Sequence, residues 1–141
     1  MDTIIVNYWA VLACGVIAMA LGYVWYGPLF GKKWLEVVGA NAQDKKEREA
    51  MQQAAGPLYA IQFALALLQA YILAHFIAGW QDATGVETAT WIWLGFVMPT
   101  IAAGSMWNND SKKISWARFL IQAGYNIVLF VIFGIILKTW M

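Results

Sequence analysis

Residues 21–34 read LGYVWYGPLFGKKW: an apolar run ends in aromatic rings, passes a Gly27-Pro28 pair and meets the first two lysines of the chain, Lys32 and Lys33. Upstream, residues 4–25 carry no charge over 22 positions. At a rise of about 1.5 Å per residue, that length crosses a hydrocarbon core of roughly 30 Å. Proline disfavours helical geometry in the residue before it, so Gly27-Pro28 is expected to break the helix here. Trp25 and Tyr26, with Tyr23, then fall at the headgroup level, where amphipathic rings anchor, and Lys32 and Lys33 reach the headgroups. The stretch reads as a membrane exit.

The same pattern recurs three more times, at residues 57–80, 88–107 and 114–137. Gly56-Pro57 opens the second span as a helix start, because proline at the first helical position lacks only an amide hydrogen that would be unpaired anyway. Composition agrees, since 62% of residues are hydrophobic and 12% charged, against about 25% charged in soluble domains. We therefore expect an all-α integral membrane bundle of four transmembrane helices, one domain over residues 1–141. A net charge of +1 supplies no basic field for nucleic acid. The opening MDTIIVNYW is acidic, with no basic residue before Lys32, so the first span is expected to stay attached rather than be cleaved as a signal peptide.

Charge orients the bundle. Lys32, Lys33, Lys45, Lys46 and Arg48 lie between the first two spans, and Lys112, Lys113 and Arg118 lie at the start of the fourth. Only Lys138 falls on the opposite side. Basic residues mark cytoplasmic loops, so both termini should lie outside the cytoplasm. All nine tryptophans fit two belts: Trp9, Trp80, Trp91, Trp93 and Trp140 at one level, and Trp25, Trp34, Trp107 and Trp116 at the other. Between spans one and two, Leu29, Phe30, Trp34, Leu35, Val37 and Val38 suit an interfacial segment. Asn41, as an N-cap with Asp44 behind it, then opens a short solvated cytoplasmic helix ending near Ala55, with Asp44–Arg48 and Lys45–Glu49 pairs four apart.

Three blocks carry a family resemblance: LGYVWYGPLFGKKW, GFVMPT at residues 95–100, and AGYNIVLFVIFGIIL at residues 123–137. With these the chain resembles, over nearly its whole length, the domain of unknown function 1761 family of bacterial membrane proteins. The resemblance implies a four-span fold and carries no activity over to particular residues.

Polar residues within hydrocarbon point to function. On the fourth span, Arg118, Gln122 and Asn126 are four apart and stack on one face, flanked by Tyr125. On the second span, Gln62 and Gln69 are seven apart and share a face near Tyr59. Two such stripes either hydrate a path for a polar solute or ion, or make interhelical hydrogen bonds worth about 0.6 kcal/mol each. Arg118, about one turn into its span, has a second reading, snorkelling to anionic headgroups.

Pro99, in the middle of the third span, cannot donate to the Gly95 carbonyl and should kink or loosen the helix. Ala10, Cys14, Ala18 and Gly22 form a stripe of small side chains, a packing seam within or between subunits. A lone Cys14 makes no internal disulfide, and His75 has no second histidine or acidic ligand near it to hold zinc. All eight acids fall outside the expected spans, which argues against proton-coupled multidrug-type exchange. With no nucleophile–base pair, phosphate loop or paired carboxylates, the chain reads as non-enzymatic and free of cofactors. Its expected partners are the bilayer and copies of itself; the alternative is an accessory subunit of a larger membrane complex. In intact cells, cysteine introduced by Gln43→Cys should resist an impermeant thiol reagent added outside, and labelling there would reverse the orientation.

Overall fold

The computed structural model of the chain describes residues 4–39 and 45–140. Asn7 starts the first helix: its Oδ1 accepts the amides of Trp9 and Ala10 at 3.0 and 3.3 Å, pairing donors that have no partner inside the helix. From there run α1 (Tyr8–Val24), a π-helical turn (Trp25–Leu29), α2 (Gly31–Val37), α3 (Lys45–Ala54) and α4 (Gly56–Gly79). After them come α5 (Gly85–Ile92), a second π-helical turn (Trp93–Val97), α6 (Met98–Met106) and α7 (Lys112–Thr139). No strand occurs among the described residues. Four continuous helical stretches are long and apolar enough to cross a membrane: Tyr8–Leu29, Gly56–Gly79, Gly85–Met106 and Lys112–Thr139. The chain is thus an all-α, multi-pass membrane protein.

Caps move the span ends away from where hydropathy alone puts them. The first span begins at Tyr8 rather than residue 4. The third begins at Gly85 rather than residue 88, because Thr84 Oγ1 accepts the Glu87 amide at 3.0 Å. The fourth begins at Lys112, where Ser111 Oγ accepts the Ile114 amide at 3.3 Å. Orphan amides, not charges, set these boundaries.

Both in-span prolines act through the backbone. Pro28 has no amide to give the Val24 carbonyl, and the helix widens instead of ending: the Phe30 amide donates to the Trp25 carbonyl, five residues back, at 2.9 Å. The expected break at Gly27-Pro28 is therefore a π turn that carries the first span to Leu29. Pro99 withholds a donor from Gly95 in the same way, and the Met98 amide donates to the Trp93 carbonyl, closing a π turn just before the proline. Thr100 Oγ1 adds a bond to the Phe96 carbonyl at 3.0 Å.

Beyond the first exit, α2 packs on α7 with Val37 buried, and Gly39 follows it at φ +78°, a conformation glycine adopts without steric cost. The solvated helix is α3, whose Lys45 Nζ stands 4.0 Å from Glu49. The expected Asn41 cap, the Asp44–Arg48 pair and position 43 lie outside the described residues.

The fourth span is the hub. α7 packs against α1, α2, α4, α5 and α6, and Leu129, Phe130, Phe133 and Leu137 form its side of the core. The facing surfaces are small: Ala10, Cys14 and Ala18 on α1, and Ala66, Ala70 and Ala74 on α4, are all buried. Such residues let backbones approach where lipid is as apolar as the side chains and gives no hydrophobic push. At the end opposite the lysine-rich connections, Asn7 Nδ2 donates to the Trp140 carbonyl at 2.8 Å and Lys138 Nζ to the Gln81 carbonyl at 3.1 Å.

α5 crosses α7 where Gly85 meets Gly134, so closely that a Cβ on either would collide with the carbonyl oxygen of the other. Backbone cannot yield there as a side chain can. Gly134→Val should therefore lower stability by about 1–3 kcal/mol, as overpacking does. Gly104→Ala, whose Cβ meets nothing within 4 Å, should leave the thermal midpoint in detergent unchanged or slightly raised.

Candidate functional site

A cleft of about 740 Å³ lies among all four spans. Span 1 supplies Ala18, Met19, Gly22, Tyr23 and Tyr26; α4 supplies Tyr59, Gln62 and Gln69; and α7 supplies Gln122, Tyr125, Asn126 and Leu129. Ile101 of α6, Trp34 of α2 and Gly27 of the first π turn complete it. Helical spacing builds the polar part: Gln62, Ala66 and Gln69 follow one face of α4, with Gln62 exposed at the open side, Gln69 half-buried and Ala66 fully buried between them. Counting at about 1.5 Å per residue, Gln62 stands roughly 9 Å and Gln122 roughly 15 Å into their helices, with Gln69 and Asn126 roughly 20 Å in. The amides thus form two tiers, from the lysine-rich end toward mid-span.

Their hydrogen-bonding capacity is largely unused. Asn126 Nδ2 donates to the Gln122 carbonyl at 2.9 Å, leaving its Oδ1 free to accept. The side-chain amides of Gln62, Gln69 and Gln122 make no hydrogen bond with the described residues. Each therefore keeps an acceptor and two donors for something else. No Asp, Glu, Lys, Arg or His is among the lining residues.

An aromatic wall faces the lysine-rich end. Tyr26 meets Trp34 edge-on with centroids 4.8 Å apart and tilts against Tyr125 at 5.4 Å. The Tyr125 hydroxyl donates to the Ala18 carbonyl at 2.8 Å, which joins α1 to α7 at the back of the cleft. Tyr23 and Tyr59, 77% and 63% exposed, stand at its open rim.

Four of the five residues read as a polar path, Gln62, Gln69, Gln122 and Asn126, come together here, and Arg118 does not. Arg118 Nη2 donates to Asp110 Oδ2 at 2.7 Å and to the Val37 carbonyl at 3.2 Å. That side chain ties the start of α7 to the loop before it and to the end of α2. Since α2 carries Trp34, Arg118 holds one wall of the cleft in place.

Pro99 is exposed and outside the cleft, two residues before Ile101, which lines it. Of the small-residue stripe, Ala10, Cys14 and Ala18 are in the core, and Ala18 with Gly22 also backs the cleft.

The tryptophan belts divide. Trp9, Trp80, Trp91, Trp107, Trp116 and Trp140 face outward, whereas Trp25 turns inward. Its Nε1 donates to the Ile121 carbonyl at 2.9 Å, and its ring lies over Gly124, where a Cβ would stand 3.1 Å away. Trp25 is thus a bolt between spans 1 and 4. Tyr26 and Trp34 are cleft walls, Lys32 is exposed, and Lys33 Nζ pairs with Glu36 at 3.3 Å. Sequence reading missed Met19, Ile101 and the inward turn of Trp34, because hydropathy has no means of telling a ring at headgroup depth facing lipid from one facing the protein.

The family model described as Protein of unknown function (DUF1761) matches residues 9–138, and the chain belongs to that family. No curated protein and no solved structure matches it.

Because the Arg118–Asp110 pair is partly buried, with side chains 22% and 29% exposed, its loss should register. Arg118→Met should cost about 1.5–3 kcal/mol, the range for hydrogen bonds to charged groups. Hydrogen exchange should quicken in residues 31–38, and Asp110→Asn added to it should cost little more.

Proposed function

We propose that this chain is a non-enzymatic protein of the bacterial inner membrane that binds, and gives passage to, a small polar solute in the cleft, with its lysine-rich connections in the cytoplasm. The observation that carries this reading is the convergence of Gln62, Gln69 and Gln122 on one cleft with their amides unpaired. A polar group left in hydrocarbon without a partner is costly. Glutamines needed only for packing would hydrogen-bond one another or the facing backbone. Orientation follows from the eight basic residues gathered at one end.

A second reading, an assembly subunit of a homo-oligomer or larger complex, is favoured by the outward face of the third span. There Pro99 is exposed, and Gly95 and Gly104 would each meet nothing within 4 Å if given a Cβ. Gly95 and Pro99, four apart on one side of the span, offer little side chain for another helix to clear. The buried stripe of α1 offers no such contact.

One experiment separates the two: native mass spectrometry of the protein gently extracted from its own membrane. Solute binding is expected to appear as a small molecule retained by the wild type and lost from Gln122→Leu, with the thermal midpoint preserved. Foreign subunits in fixed ratio, with no small molecule at all, would transfer the role to the assembly reading.

A further inference from the structure

Resting on the solute-binding reading, we infer that the ligand of this cleft is an uncharged, ring-bearing molecule with an amide-like group that both donates and accepts hydrogen bonds, and not an ion. Three features of the cleft carry the inference.

The first is charge. No ionisable acid, lysine, arginine or histidine lines the cleft. The nearby Asp110 is committed to Arg118 at 2.7 Å. An ion drawn into the membrane interior without a countercharge gives up its hydration for nothing of equal strength.

The second is the polar complement. Gln62, Gln69 and Gln122 present donors and acceptors together, and Asn126 adds its carbonyl acceptor and one N–H, its other N–H being held by the Gln122 carbonyl. A ligand offering only acceptors or only donors would leave half of these groups unpaired. A primary or secondary amide, or a lactam, satisfies both kinds at once.

The third is shape. Tyr26, Trp34 and Tyr125 form a continuous aromatic wall, with centroid separations of 4.8 and 5.4 Å, while Tyr23 and Tyr59 stand at the rim. Rings recognise flat apolar surfaces by offset or edge-on contact. A small aliphatic solute would leave that wall unused, and the volume near 740 Å³ suits a ligand of several rings or a ring with substituents.

The test uses the full chain in lipid nanodiscs, with equilibrium dialysis against empty nanodiscs to subtract partition into lipid. A matched series shares one ring and varies charge: 2-naphthamide, 2-naphthoate and (2-naphthylmethyl)trimethylammonium, with acetamide as the ringless amide. The structure calls for saturable binding of 2-naphthamide. The two charged compounds and acetamide should bind about tenfold or more weakly, and Gln62→Leu and Gln122→Leu should each weaken 2-naphthamide by about tenfold. Lys32→Gln, outside the cleft, should change nothing. Thermal midpoints of the leucine variants verify that they are folded.

Stronger binding of the ammonium compound would overturn the inference in favour of a cation held by the aromatic faces. Equal binding of acetamide would remove the ring requirement. If no compound binds while native mass spectrometry still shows a retained molecule lost from Gln122→Leu, the ligand class is wrong and the solute-binding reading stands. Silence in both experiments removes both.

Discussion

Within hydrocarbon every backbone amide and carbonyl must find its partner inside the protein, and the rest of this structure follows from that requirement. It makes the spans helical, and it dictates what happens at Pro28 and Pro99, where a donor is missing. Neither proline ends its helix. Each is accommodated by a π turn in which a nearby amide, that of Phe30 after Pro28 and that of Met98 before Pro99, reaches five residues back, and the helix gains a local bulge. The consequence at the first bulge is functional in position: it places Trp25 against α7 and Tyr26 at the cleft.

With pairing satisfied within helices, contact between helices rests on close approach. Small residues on α1 and α4, and the glycine pair at positions 85 and 134, bring backbones together. Large side chains of α7, Phe133 and Leu129 among them, fill the centre. Tight packing along one part of the bundle leaves the spans apart elsewhere. The cleft occupies that separation, and its polar lining lies on the faces that small residues have brought within reach of each other.

Arg118 shows how one charge is used without entering the cleft. Its guanidinium spans a carboxylate and a helix-terminal carbonyl, three segments converging on one planar donor group. Trp34 is held through that link, and the aromatic wall is thereby fixed from outside the site.

Much of this was legible in the chain itself. Runs of uncharged residues long enough for a bilayer, basic residues gathered at one end, and the four-residue spacing of small and polar positions follow from helical periodicity and solvation, which act locally. The convergence of Gln62 and Gln69 with Gln122 and Asn126 was legible as two matching faces, though not as one cleft. Tertiary structure alone decided that Arg118 stands apart from them, that Trp25 points inward, and that Gly85 meets Gly134. Those facts depend on helix rotation and crossing, set by the sum of contacts between segments up to 133 residues apart, as from Asn7 to the Trp140 carbonyl. A sequence states which side chains share a face; only packing states what that face meets.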